Sequence, residues 1–136
     1  MKTSIVVVGL IKKGEQVLLG QKAPGKGPYP DTWHIAGGKI ELGKENTEEA
    51  MKRELKEETN FNVKNLKKVI WDTDVEPDKH GEETYYIFLQ YVCDYESGEL
   101  KAGDDMAHFE WVEKKDLSKY NLNKPSKKML KHLGYL

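Results

Sequence analysis

Gly38-Lys39-Ile40-Glu41-Leu42-Gly43-Lys44-Glu45, followed after seven residues by Arg53-Glu54-Leu55-Lys56-Glu57-Glu58-Thr59-Asn60-Phe61, is the most densely patterned stretch of the chain. Its second half predicts a helix from Thr47 to Thr59. Asn46 or Thr47 can cap the start, and Glu48 and Glu49 suit the positive end of the helix dipole. Asn60 follows, one of the few non-glycine residues that tolerates the left-handed position after a helix. On a wheel of about 100° per residue with Glu54 at zero, Glu57 falls near −60° and Glu58 near +40°. The three carboxylates therefore share one arc. That arc overlaps the edge of the apolar stripe of Ala50, Met51 and Leu55, and lies away from Lys52 and Lys56. Like charges at i,i+4, as with Glu54 and Glu58, destabilise a bare helix. Packed against the protein body, these groups would titrate higher or need a cation. Clustered carboxylate oxygens suit hard divalent ions, Mg²⁺ above all where phosphates share the shell. A solvated acidic face is the competing reading. Arg53 could reach Glu49 one turn back or Glu45 in the loop before the helix. Either pairing would brace the loop against the helix and is structural.

Outward from this stretch, the chain reads as mixed helix and strand without repeats or low-complexity tracts. Ser4 to Ile11 and Gln16 to Gly20 predict a hairpin around Lys12-Lys13-Gly14-Glu15. Lys22 to Pro30 holds three prolines and two glycines in nine residues, which excludes helix or central strand and predicts a long, functional loop. Trp33 to Ile35 predicts a short strand leading into Ala36-Gly37-Gly38. Val63 to Trp71 and Glu83 to Asp94 read as strands around a polar loop, Asp74 to Glu82. His108 to Val112 reads as the last strand. Asp116 to Tyr120 predicts a helical turn, and Pro125 opens a terminal helix to about Leu133, packed by Leu130, Leu133 and Leu136. Lys124, Lys127, Lys128 and Lys131 form its solvated face.

Taken together, Gly38 to Phe61 resembles the Nudix box, G-x5-E-x7-R-E-U-x-E-E-x-G-U, where U is aliphatic or bulky and apolar. The segment R-E-L-K-E-E matches throughout, and Glu45 stands at the required distance before Arg53. Six residues instead of five separate Gly38 from Glu45, Asn60 replaces the second glycine, Ala36 stands where many relatives have proline, and Phe61 is larger than usual. None of these departures removes a metal ligand. The resemblance implies an α/β fold, the Nudix α/β/α sandwich with a central mixed sheet, as one domain over residues 1–136. It implies that Glu54, Glu57 and Glu58, with the carbonyl of Gly37, bind Mg²⁺, for which Mn²⁺ is a substitute. It implies that Arg53 and Glu45 form the brace. The implied reaction is hydrolysis of a phosphoanhydride bond in a nucleoside diphosphate derivative, with Glu54, Glu57, Glu58 and Arg53 as its catalytic set. Glu57 is one candidate general base. Some relatives use a glutamate before the last core strand, where Asp104, Asp105 and Glu110 stand here.

Substrate choice lies in the loops outside the box. Tyr29 and Trp33 could stack on a base, with core packing the competing reading for Trp33. His34 could touch a phosphate. Trp111 and Cys93 read as core, and Trp71 stays open. His80 to Phe88, Gly98-Glu99-Leu100 and Phe109 to Val112 resemble the MutT-like branch, which releases a nucleoside monophosphate and pyrophosphate from a (d)NTP. Pro77, sixteen residues beyond Phe61, has the spacing of ADP-ribose pyrophosphatases, the alternative reading. A catalytically silent nucleotide-binding or interaction module is a third.

Composition narrows the classes further. The 136 residues suit one domain. Twenty-two basic and 23 acidic residues give a net charge of −1, which argues against nucleic-acid-coating and polybasic membrane proteins. No apolar run approaches the ~18–20 residues of a membrane span. The apolar run after Met1-Lys2 is short and lacks a cleavage site, so it reads as a strand and not a signal peptide. A single cysteine rules out an internal disulfide framework. The expected context is cytoplasmic, with a small-molecule nucleotide as partner, no nucleic acid or membrane, and a homodimer as a possible assembly.

Overall fold

The computed structural model describes residues 1–25, 27–101 and 106–136. The β-branched N-terminal run forms β1 (Lys2–Lys13), which turns through Gly14 at φ 61° into β2 (Gln16–Lys22). Two short strands follow, β3 (Trp33–His34) and β4 (Gly37–Lys39). Next come helix α1 (Thr47–Thr59), the long ribbon of β5 (Asn62–Pro77) and β6 (Glu83–Ser97), then β7 (Met106–Glu113). A 3₁₀ helix (Lys114–Lys119) leads to α2 (Lys124–His132). The sheet runs β3-β2-β1-β6-β5, with β4 also paired to β1 and β7 to β2. The β1–β6 pair is parallel and the other pairs are antiparallel, so the sheet is mixed.

Strand alternation divides the core in two. Val7 and Ile11 of β1 and Leu18 of β2 join Ala50, Met51 and Leu55 of α1. Val8 and Leu10 of β1 and Val17 and Leu19 of β2 face Met129 and Leu130 of α2 instead. These layers are the expected α/β/α sandwich. Gly9 lies on the α1 face, where a Cβ would stand 2.6 Å from Met51 Sδ and 2.7 Å from a Leu55 methyl. Its missing side chain lets α1 lie close to the sheet.

The expected helix ends hold. Asn46 accepts the Glu49 N–H while Glu49 accepts the Asn46 N–H, a capping box. Asn60 takes φ 68° and donates to Lys56 O through its backbone N–H. Pro125 lies in the first turn of α2, capped by Asn123.

Several expectations need correction. Asp74 to Pro77 belong to β5 and not to a loop, and β6 continues past Asp94. The ribbon extends because each strand supplies the other's backbone partners, from Asn62↔Ser97 to Pro77↔Glu83, with register shifts absorbing its twist. Trp71 lies within β5 and is 79% exposed. Leu136 is exposed, while Met129 is fully buried. The lysine face of α2 is not only solvated: Lys124 pairs with Asp74 and Glu76, and Lys128 with Asp72, tying α2 to β5. Cys93 is buried as expected, with its thiol pushed up to about 12 by burial and the neighbouring Asp94. Trp111 stacks on Phe61 at 5.7 Å, packed against the core.

Candidate active site

Helix α1 begins at its capping box and packs across the place where β4 pairs with Val6, Val7 and Val8 of β1. Glu54 occupies the face of α1 next to Gly38, where a Cβ would overlap its carboxylate. The glycine pair thus has two tasks. Gly37 fits against the Val7 carbonyl of β1, and Gly38 makes room for Glu54. The sequence reading named Gly37 alone; a second glycine in the pair was the available signal for Gly38.

Arg53 chooses Glu45 over Glu49. Its Nε donates to both Glu45 oxygens at 3.1 and 2.9 Å, and Nη2 donates to Oε1 at 2.6 Å. Nη2 also reaches the Lys39 carbonyl at 3.1 Å. Glu45 in turn accepts the Glu41 N–H at 3.0 Å, so one ion pair ties the loop, β4 and α1 together. The Arg53 hydrogen bonds hold the Glu45 carboxyl below its usual range, and Glu45 holds the guanidinium more firmly protonated than usual. Arg53 Nη1 extends to Glu54 Oε1 at 3.0 Å and to both Glu57 oxygens at 3.1 and 3.2 Å.

The three helix carboxylates differ in setting. Glu54 has a side chain 13% exposed, and burial raises its pKa against the opposing pull of Arg53. Glu58 is partly buried, whereas the Glu57 side chain is 58% exposed. Among the described residues, no three His, Cys, Asp or Glu side chains converge into a ready-made metal cage. The donor chemistry nevertheless fits a hard divalent cation. Three of the candidates are carboxylates on one helix face, the fourth is a backbone carbonyl, and Gly38, by lacking a side chain, leaves the space that the Glu54 carboxylate occupies. Glu110 is out of place as a general base. On β7 it alternates with Phe109 and Trp111, which pack on the α1 side, so it faces away from the helix carboxylates. Its carboxylate accepts from Tyr120 at 2.8 Å and contacts His108 at 3.1 Å, and both hold its pKa down. Asp104 and Asp105 lie outside the described residues.

On the α2 side of β1 lies a pocket of about 130 Å³, walled by Tyr29, Tyr86 and Phe88, with His34, Gln90 and Ser126 among its polar groups. Gly37 lines it too, which sets the pocket beside β4. Tyr29, at φ 56°, is held there by its hydroxyl, which donates to Asp74 at 2.5 Å. Burial and that carboxylate raise the tyrosine pKa. His34 is 8% exposed, and burial with nearby Lys22 lowers its pKa to about 4. Its Nδ1 is engaged at the Ile35 carbonyl, 3.1 Å away, and the residue lines the aromatic pocket. Trp33 does not join Tyr29 and His34 in lining the pocket. Its indole packs edge-on against Tyr120 at 5.0 Å and His108 at 5.9 Å. Lys22, Pro28 and Tyr86 also border a second, larger pocket of about 350 Å³ with Lys2, Lys39 and Lys79 in its wall. Sequence reasoning missed Gln90, Tyr86 and these lysines.

Comparison with known proteins agrees with this geometry. The NUDIX domain family model matches residues 1–133. The nucleoside triphosphatase NudI of Escherichia coli strain K12 is 32% identical over 142 aligned residues, covering 100% of both chains. The crystal structure of a MutT NUDIX hydrolase from Burkholderia pseudomallei superimposes with a TM-score of 0.83 at 19% identity, over 98% of this chain and 99% of that one. A mutator MutT protein from Bacillus halodurans gives a TM-score of 0.76 at 27% identity, over 96% and 81%.

Proposed function

The chain belongs to the Nudix hydrolase family, and from that premise we propose that it cleaves a nucleoside triphosphate to the monophosphate and pyrophosphate. The observation that carries this reading is the pair of adjoining pockets. The aromatic-walled one suits a base. The larger one, which shares Lys22, Pro28 and Tyr86 with it, brings Lys22, Lys39 and Lys79 to a polyphosphate, while Lys2 is paired with Asp78 in the same wall at 2.6 Å. The name of the NudI relatives, nucleoside triphosphatase, points the same way. A cytoplasmic setting is part of the same proposal.

Nudix hydrolases need a divalent metal, here assigned as Mg²⁺ with Mn²⁺ as a substitute. Glu54, Glu57, Glu58 and the Gly37 carbonyl would hold it. When bound, the ion neutralises phosphate charge and lowers the pKa of a coordinated water. The lysines of the larger pocket orient the phosphate chain. Arg53 keeps Glu54 and Glu57 in place from the Glu45 side. Glu57, the most exposed of the three, takes the proton from the attacking water on a carboxylate oxygen. Pro77, the signal for an ADP-ribose substrate, is the last residue of β5 opposite Glu83, and that position accounts for it without a ligand.

Phosphorus NMR of Mg²⁺-supplemented reactions tests the reading, with nucleoside triphosphates and nucleotide sugars offered separately. Pyrophosphate and monophosphate should appear from the triphosphates. Cleavage of ADP-ribose alone, to AMP and ribose 5-phosphate, would overturn it.

A further inference from the structure

Two atoms in the aromatic pocket are buried without a hydrogen-bond partner among the described residues, His34 Nε2 and Gln90 Oε1. Both residues line the pocket and are more than nine-tenths buried, His34 at 8% and Gln90 at 2% exposure. Burying such atoms unpaired is costly, so a pocket that keeps two of them is built for something that pairs with them.

The far side of each side chain identifies the atom that remains. Gln90 Nε2 donates to the Pro125 carbonyl at 3.4 Å. A carbonyl only accepts, so the other amide atom of Gln90 is the oxygen, an acceptor. His34 Nδ1 lies 3.1 Å from the Ile35 carbonyl and therefore carries the ring hydrogen. With the imidazole held neutral by burial, Nε2 presents a lone pair. The acceptor atoms nearby are engaged elsewhere, while the Ser126 O–H and the Asn123 amide N–H groups stay as donors at the pocket wall. Ser126 Oγ accepts the Ile35 N–H at 3.0 Å, Asn123 Oδ1 accepts the Ser126 N–H at 2.9 Å, and the Tyr29 hydroxyl is on Asp74. The pocket thus offers two acceptors beside a flat apolar wall, in which Tyr86 and Phe88 stack at 5.9 Å and 14°.

Building on the nucleoside triphosphate reading, we propose that this pocket holds the nucleobase and that Gln90 and His34 select bases carrying an exocyclic amino group. An amino group donates to these acceptors. An oxo base offers only the single N–H of the adjacent ring nitrogen and sets its oxygen lone pairs against the second acceptor, which stays unpaired. Cytosine is then preferred to uracil, and adenine to hypoxanthine. Gln90 and His34 are specificity residues that touch the base, remote from the phosphate being cleaved.

The test compares dCMP with dUMP by calorimetric binding, and dCTP with dUTP by kcat/KM, since each pair differs only in the group at C4 and the hydrogen at N3. The wild-type protein should favour cytosine by about tenfold or more in both measurements. Gln90→Met, which keeps the bulk and removes the acceptor, should shrink the ratio severalfold by weakening dCMP, with circular dichroism checking the fold. Equal binding of dCMP and dUMP by the wild-type protein, or no binding of either, overturns the proposal, and so does an unchanged ratio in folded Gln90→Met. The wild-type comparison decides even if the variant does not fold. A cytosine preference in binding without hydrolysis of any triphosphate would sustain the base assignment and refute the triphosphatase reading alone.

Discussion

Arg53 gathers more of the site than any other single side chain. It binds Glu45, Glu54, Glu57 and the Lys39 carbonyl at once, so loop, strand and helix share one guanidinium. The repulsion that three carboxylates impose on one helix face is offset in this way. Glu57 itself is exposed and adds little to stability. Glu57→Gln should therefore lower kcat by about 100-fold or more while leaving the thermal midpoint nearly unchanged, measured by steady-state kinetics beside a melting curve. His34 makes a different prediction. Its pKa falls from 6.5 to about 4 on folding, so between those values the unfolded chain binds more protons than the native one. Its contribution, on the order of 3 kcal/mol, is complete above pH 6.5 and is lost as pH drops toward 4. Urea titrations across that window should show a steep loss of stability in the wild-type protein and a shallower one in His34→Gln.

Among the elements, β4 is the smallest and the most constrained. Its three residues join the box to the sheet through Val7↔Gly38 and Val8↔Gly37. A side chain at Gly37 meets backbone, the Val7 carbonyl, which cannot yield without opening the pair. A side chain at Gly38 first meets the Glu54 carboxylate, the far end of a side chain that can turn aside at the cost of its Arg53 contact. Gly37→Ala should cost about 2 kcal/mol or more in denaturant unfolding. Gly38→Ala should leave stability close to wild type and depress activity by displacing Glu54. The motif shows both residues as conspicuous glycines. Their different duties follow from which neighbour lies opposite each, a property of the β1–β4 pairing and of how α1 crosses it.

The whole molecule turns on β1, whose alternate side chains feed both cores. Neither layer can come apart without exposing the other face of the same strand. Met51→Ala, under α1, and Met129→Ala, under α2, should each destabilise by about 2–5 kcal/mol. Both should shift one cooperative transition instead of splitting it into two, with tryptophan fluorescence and far-UV circular dichroism coinciding.

Local chemistry was enough to read the box, the span of α1, its Asn46 cap and its left-handed Asn60. Each depends on neighbours within a turn or two, where helical periodicity, capping hydrogen bonds and charge sign act directly. The same locality made the brace between Arg53 and Glu45 visible, though not its preference over Glu49, which the capping box had already engaged. The aromatic pocket was only half legible. Tyr29 could be picked from its loop and His34 from the short strand after it, but Gln90 comes from β6 and Ser126 from α2, 91 positions beyond the Ile35 amide it binds. Parallel pairing of β1 with β6 and docking of α2 bring these groups together, and no short-range pattern encodes such a meeting. Trp33 shows the converse: its sequence position suited a base platform, and Tyr120 and His108 claimed its ring. Residue spacing and charge sign along the chain were enough for the family, the helix and its row of carboxylates. Which buried atoms line the aromatic pocket emerged on folding, because burial and an unpaired lone pair are properties of the assembled chain.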